Sequence, residues 1–296
     1  MTAADRSAGK PSTVLGRQLG DELRRLREAA GMTTGDVAGE LDCTKGKVSR
    51  IENGRVAVRA PDVLAMLRSY GVDADSDKAR QLVTLARQAN RRRRSGWWNK
   101  FGPVLIDTYR DYIELEAMAE GVRTFQAQLV PGLLQTAEYS RAVTVASKAW
   151  QTPDEIERFV QVRMARQKRL RAETPLSVWA VLAEGVLHQR VGGPAVMRGQ
   201  LEHLLDLAQL PHITVQVLPF TRGAHSGMFG PYVVLSFPQA AAMDVVLTET
   251  PIGQFWQERE PEVARYQALF DDARTSALPP TESLALISRV ARENAE

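Results

Sequence analysis

Leu15, Leu19, Leu23 and Leu26 recur at steps of four, four and three, a spacing that lays one apolar stripe along a helix. The stripe ends near Gly31, a residue suited to the left-handed turn that closes helices, so a first helix with one core-facing side is expected there. Thr33 or Thr34 can cap a short second helix through a side-chain oxygen, with Val37, Ala38 and Leu41 turned inward. The turn residues Leu41-Asp42-Cys43 follow. Thr44 can then cap a third helix in which Val48 and Ile51 face inward and Lys45, Lys47 and Arg50 face outward, until Asn53-Gly54 stops it. Pro61 suits the first turn of a fourth helix in PDVLAMLRSYG, and SDKARQLVTLARQAN supplies a fifth, with Leu82 and Leu85 on one side.

Four arginines, Arg91 to Arg94, break this pattern and give way to the aromatic stretch SGWWNKFG. The run can add phosphate contacts or serve as a solvated hinge. Trp97 and Trp98 can anchor the start of a second domain or stack on bases, and the first use is the more economical. Beyond residue 100 the periodicity alternates. LSVWAVLAE, ITVQVLPF, PYVVLSFP and DVVLTE are β-branched or aromatic runs bounded by Pro or Gly, as strands are. PDEIERFVQVRMARQKRL, GPAVMRGQLEHLLDLAQL, EPEVARYQALFDDARTSAL and PTESLALISRVAREN carry apolar residues at helical spacing. The expected fold is α+β: an all-α five-helix domain over residues 1–90, a linker over 91–100, and a larger mixed α/β domain over 101–296.

Two short helices joined by a tight turn form a helix-turn-helix, whose second helix enters the DNA major groove with its N-terminal residues against base edges. Gly46, lacking a side chain, permits a close approach. The sequence LxxxREAAGMTTGDVAGELDCTKGKVSRIENGR, and VSRIENG above all, resembles the Cro/cI-type (Xre family) helix-turn-helix regulators. The resemblance implies base reading at Lys45, Gly46 and Arg50. It implies phosphate contacts at Thr34, Thr44, Lys47, Asn53 and Arg55. Family members often carry Gln or Ser where Lys45 and Gly46 stand, so direct readout would rest on Lys45 and Arg50. Arg or Lys paired with guanine is the commonest specific contact, worth about 1 to 3 kcal/mol of discrimination. Arg50 has the alternatives of a phosphate, Glu52 or Asp42.

Charge agrees with this division. The chain of 296 residues has a formal net charge of +3. Residues 1–100 hold 20 Lys and Arg against 12 Asp and Glu, a balance of +8, and the remainder carries −5. A basic module on an acidic body fits a polyanion binder joined to something that is not one. With no run of about 18 apolar residues and no apolar signal core in MTAADRSAGKPST, a cytoplasmic protein without a membrane partner is expected. The lone Cys43 cannot form an intramolecular disulfide, in accord with a reducing compartment.

Enzymatic chemistry finds little purchase. His188, His203, His212 and His225 fit no HExxH spacing, and there is no P-loop, GxGxxG or GxSxG, so no metal, cofactor or catalytic residue is expected. Glu184 and His188 stand four apart, where a surface pair is the common outcome.

FQAQLVPGLLQTAEY, VGGPAVMRGQLEHLLDLAQLPHITVQVLPF and GAHSGMFGPYVVLSFP are similar to the uncharacterised C-terminal domain of actinobacterial helix-turn-helix regulators, some described as antitoxin-like. That resemblance implies a transcription regulator, often encoded beside a small partner protein. Three readings of the second domain stay open: sensor of a small effector, holder of a small toxin, or degenerate enzyme fold. DNA binding by a homodimer on a palindromic operator is expected, because one recognition helix reads few bases. Within PFTRGAHSGMFG, residues 219–230, Arg222, His225, Ser226, Met228 and Phe229 combine charge, hydrogen bonding and apolar surface beside three glycines. This segment is either a mobile loop bordering the effector or partner site, or a long solvated hairpin.

Overall fold

The computed structural model describes residues 14–92, 97, 98, 101, 107–150, 152–238, 244–250 and 253–294. The side chains of Arg91 to Arg94, and with them the phosphate-or-hinge question, lie outside the described residues, as do the side chains of most of the expected linker. The chain divides into two compact units, one whose main body ends at Asn99 and one formed by Lys100–Ser236 with Asp244–Glu296. Trp97 and Trp98, expected to begin the second domain, group with the first unit, where their rings meet edge to face at 5.7 Å.

Among the described residues of the first unit, five α-helices follow in order: α1 (Val14–Ala29), α2 (Thr34–Glu40), α3 (Lys45–Glu52), α4 (Ala60–Ser69) and α5 (Asp77–Arg92). Leu15, Leu19 and Leu23 of α1 are buried, and Val37, Val48, Ile51, Val63, Met66, Leu67, Leu82 and Leu85 complete the core. The stripe departs from expectation at its end. Leu26 is half-buried, and the buried position is Arg27, which continues the i+4 series of 15, 19 and 23. An arginine can hold that place because a carboxylate from α3 meets it. Gly31, at φ +70°, ends α1 by letting Met32 N–H reach back to the Arg27 carbonyl at 3.1 Å.

The second unit contains α6 (Asp107–Glu116), β1 (Gly121–Gln126), α7 (Ala137–Ser147), α8 (Pro153–Gln167), β2 (Ser177–Ala183), α9 (Gly185–His188) and α10 (Pro194–Leu207). It continues with β3 (Ile213–Leu218), β4 (Tyr232–Ser236), β5 (Val245–Thr250), β6 (Gly253–Gln257), α11 (Glu260–Ser276) and α12 (Pro280–Glu293). The sheet is mixed, in the order β3-β2-β1-β4-β5-β6, with β1, β2 and β3 parallel and β4, β5 and β6 antiparallel to their neighbours. The fold is α+β. Two strands escaped the apolar pattern. The central β1, GVRTFQ, mixes Arg123, Thr124 and Gln126 among its apolar positions, and β6, GQFWQ, is half-exposed.

Alternation along the strands assigns each face. Phe125, Val181, Leu218, Tyr232, Val234 and Val246 share one face and pack with Val263, Phe270 and Ala273 of α11. Val122, Val178, Val233 and Leu247 occupy the other; Val122 stands beside Val178, and Val233 beside Leu247.

Candidate nucleic-acid interface

The capping residue of α2 is Thr33, and Thr34 is its first helical residue. Thr33 Oγ1 accepts from Asp36 N at 3.2 Å, while Asp36 Oδ2 accepts from Thr33 N at 2.7 Å, a reciprocal capping box that satisfies two otherwise open amides. The Thr33 backbone N–H, and second the Thr33 hydroxyl, which donates to Asp36 Oδ2 at 2.8 Å, hold the Asp36 carboxyl below the usual range. The chain then turns at Asp42, which adopts φ +46°, a left-handed conformation that Asp tolerates better than most residues. Cys43 N donates to Ala38 O at 2.9 Å across that turn. Thr44 Oγ1 accepts from Lys47 N at 3.2 Å and starts α3.

What fixes α3 is a buried ion pair that the apolar pattern did not reveal. Arg27 Nε donates to Glu52 Oε1 at 2.6 Å and Nη2 to Oε2 at 3.1 Å, with the side chains 10% and 3% exposed. Arg27 Nη1 also donates to the Met32 carbonyl at 2.8 Å. The Glu52 interaction raises the Arg27 pKa further above its ordinary value, against desolvation. Arg24 adds a donor bond to Asn53 Oδ1 at 2.9 Å, and Asn53 Nδ2 donates to Ser49 O at 2.7 Å. Glycines allow the helices this approach: a Cβ at Gly20 would lie 2.4 Å from the Glu52 carbonyl, and one at Gly54 2.6 Å from Arg17 N. Gly54 also stands at φ +64°. The sequence signal was Arg27 at the stripe's next i+4 position and an acid directly after the inward Ile51.

With one side of α3 so engaged, Thr44, Lys45, Gly46, Lys47, Ser49 and Arg50 are exposed together, as are Asn53 and Arg55 beyond its end; Thr34 is half-buried. Glu52 is taken by Arg27, which removes it as a partner for Arg50, and the Arg50 side chain has no hydrogen bond or ion pair among the described residues. A Cβ at Gly46 would meet nothing nearer than Thr44 Oγ1 at 3.9 Å, so the helix surface there is open. Lys45 extends across α2, its Cε 2.8 Å from where a Gly35 Cβ would be. Asn53 spends its amide inside the protein, which makes it a brace for the end of α3. The arrangement is a short helix, braced from behind, presenting three cations and a side-chain-free position.

In the second unit, residues 219–230 contain two 3₁₀ turns, Phe220–Arg222 and Ser226–Phe229. His225 Nδ1 accepts from Gly227 N at 3.1 Å, and Ser226 Oγ donates to Leu269 O at 3.3 Å. Met228 and Phe229 are exposed, with Phe229 95% so. Gly227 does not act as a free hinge, since a Cβ there would lie 2.2 Å from Phe125 Cζ. Glu184 and His188 approach to 3.6 Å, and Glu184 Oε2 accepts from Phe220 N at 2.7 Å, so this pair braces the start of the segment.

Comparison with known proteins assigns both units. Residues 18–80 match the family model of a helix-turn-helix domain. Residues 109–289 match that of a domain of unknown function, DUF5753. Neither the curated proteins nor the solved structures yield a match.

Proposed function

The chain belongs to the DUF5753 family and carries a helix-turn-helix domain ahead of that domain, and on this premise we propose that it is a sequence-specific transcription regulator acting as a homodimer in the cytoplasm. In this reading residues 1–90 bind a palindromic operator, 91–100 link, and 101–296 dimerise and sense a small effector or a small partner protein. The observation that carries the reading is the exposed set Lys45, Lys47 and Arg50 on a helix locked from behind by Arg27 and Glu52. As in Cro/cI-type regulators, Lys45 and Arg50 read guanines at base edges, while Thr34, Thr44, Lys47 and Arg55 meet phosphates. Two copies place their recognition helices about 34 Å apart or a multiple of it. The second unit binds and does not catalyse.

Lys45→Ala and Arg50→Ala should each relax preference at particular bases, by about 1 to 3 kcal/mol, whereas Arg55→Ala should weaken all sequences alike and lower the salt slope by about 1. Selection from a random duplex library followed by anisotropy titration at several salt concentrations measures both. Equal losses on selected and random DNA for all three variants would refute the assignment.

The antitoxin reading draws on one observation: Phe220, Met228 and Phe229 are large exposed apolar side chains within ten residues of one another. Co-purification from the native host, with Phe229→Ser as control, separates the two. A stoichiometric protein lost in the variant favours the antitoxin; its absence favours the effector sensor.

A further inference from the structure

A cavity of about 140 Å³ lies within the second unit, on the sheet face opposite Phe125 and α11. Val122, Val178, Val233 and Leu247 form its apolar floor, and Arg163 and Arg166, one turn apart on α8, contribute to its wall. The segment 219–230 packs on the other face through Gly227 and contributes nothing to this lining.

The two arginines differ in what satisfies them. Arg166 donates to Glu116 Oε1 at 2.8 Å and Oε2 at 2.5 Å, and to the Tyr109 hydroxyl at 2.5 Å; Arg166 and Glu116 are almost fully buried. Its charge is compensated within the protein. Arg163 has no carboxylate partner among the described residues. Its Nη1 donates to the neutral Gln135 Oε1 at 2.6 Å, its guanidinium lies over Phe159 at 4.9 Å, and its buried Nε has no hydrogen-bond partner. A guanidinium at the wall of a half-apolar cavity, with no carboxylate partner among the described residues to balance its charge, favours an anion, and its fork matches a carboxylate. Glu249, the acid among the lining residues, is exposed and accepts from Gln254 Nε2 at 2.6 Å, so a second negative charge is disfavoured. A dry cavity of about 150 Å³ accepts benzene, which sets the scale of the apolar body at about six carbons.

We propose that this cavity binds a small organic monocarboxylate, its carboxylate on Arg163 and its compact apolar body on the valine and leucine floor. The proposal supplies a ligand class for the effector-sensing reading above and rests on that reading only for the consequence at the operator.

Calorimetric titration of the full chain at fixed ionic strength tests it, with sodium benzoate and sodium 3-methylbutanoate as probes and benzyl alcohol and benzylamine as neutral and cationic counterparts. Both acids should bind saturably, and more tightly than either counterpart. Arg163→Gln should weaken benzoate on the order of ten- to a hundredfold, the value of a charge-assisted hydrogen bond, and leave benzyl alcohol unchanged. Arg163→Lys should recover part of that loss, and Val233→Phe should abolish binding by filling the floor while circular dichroism stays native. Absence of saturable acid binding, equal affinity for benzoate and benzyl alcohol, or undiminished binding by Arg163→Gln would each overturn the proposal. Operator affinity measured with and without benzoate is the separate arm. Acid binding without a change at the operator supports the site and refutes effector sensing through it.

Discussion

Glu52→Ala should destabilise the first unit by about 3 kcal/mol, because it strands a cation. The Glu52 side chain is 3% exposed and receives two Arg27 donors at 2.6 and 3.1 Å. Removing one partner of a buried pair costs about 3 to 5 kcal/mol, most of it the burial of the unpaired charge left behind. The lower end applies here. Arg27 retains the Met32 carbonyl at 2.8 Å and a weak contact with the exposed Glu28 at 3.4 Å. At about 4 to 8 °C per kcal/mol for a domain of this size, the melting temperature of the unit should fall by roughly 12 to 24 °C. Glu52→Gln keeps the volume and one acceptor but turns an amide toward Arg27, and should cost less than the alanine change. The double variant Arg27→Met/Glu52→Leu should return to within about 1 kcal/mol of the parent, since apolar side chains of similar size replace a buried pair at little cost. Urea unfolding by circular dichroism gives the energies, and hydrogen exchange of the α1 and α3 amides assigns them to the first unit. The double variant should also keep its operator affinity, because the replaced pair faces away from the exposed side of α3. A Glu52→Ala cost below about 1 kcal/mol, or a double variant as unstable as the single, would show that packing alone holds α3.

Five further variants test the local geometry. Gly199→Ala, within α10 and with nothing beyond its own stretch of helix within 4 Å of the added Cβ, should stabilise by about 0.5 to 1 kcal/mol. Gly20→Ala, whose Cβ would lie 2.4 Å from the Glu52 carbonyl, should destabilise; chemical denaturation of both variants compares them. Asp36, held below the usual carboxylate range by Thr33, contributes stability that is present above the unfolded value of about 4 and lost as pH falls through the folded one. Asp36→Asn should therefore remove the acid dependence of α2 amide exchange between about pH 5 and 3, and an unchanged profile would exclude the capping carboxylate as its source. Gly227→Ala, placing a methyl 2.2 Å from Phe125 Cζ, should cost about 1 to 3 kcal/mol in urea unfolding. Phe229→Ser, at a side chain 95% exposed, should stay within about 0.5 kcal/mol.

The five helices of the first unit were legible because each carries local signals that tertiary contacts do not contradict. Leucines at helical spacing define α1, threonine caps and the Asn53-Gly54 stop bracket the short helices, and Pro61 marks the start of α4. The outward placement of Lys45, Lys47 and Arg50 follows from Val48 and Ile51 facing in, which is a matter of period alone. Four strands and four helices of the second unit were legible for the same reason. Where a residue's role depends on a distant partner, period says nothing. Arg27 falls on the apolar stripe by period, but nothing local names the partner for its charge until Glu52, 25 positions on, is brought beneath it. Strand β1 reads as polar from Arg123, Thr124 and Gln126, yet Thr124 is buried because its hydroxyl donates to the Tyr232 carbonyl, a bond that exists once β4 lies alongside. The composition of the 219–230 segment leaves a ligand loop and a solvated hairpin both open, and the sheet puts it on the face away from the cavity. Arg163 and Arg166 are one turn apart on one helix and chemically alike. Only the fold, by bringing Glu116 to Arg166 and the neutral Gln135 to Arg163, decided which of them keeps a charge without a carboxylate partner.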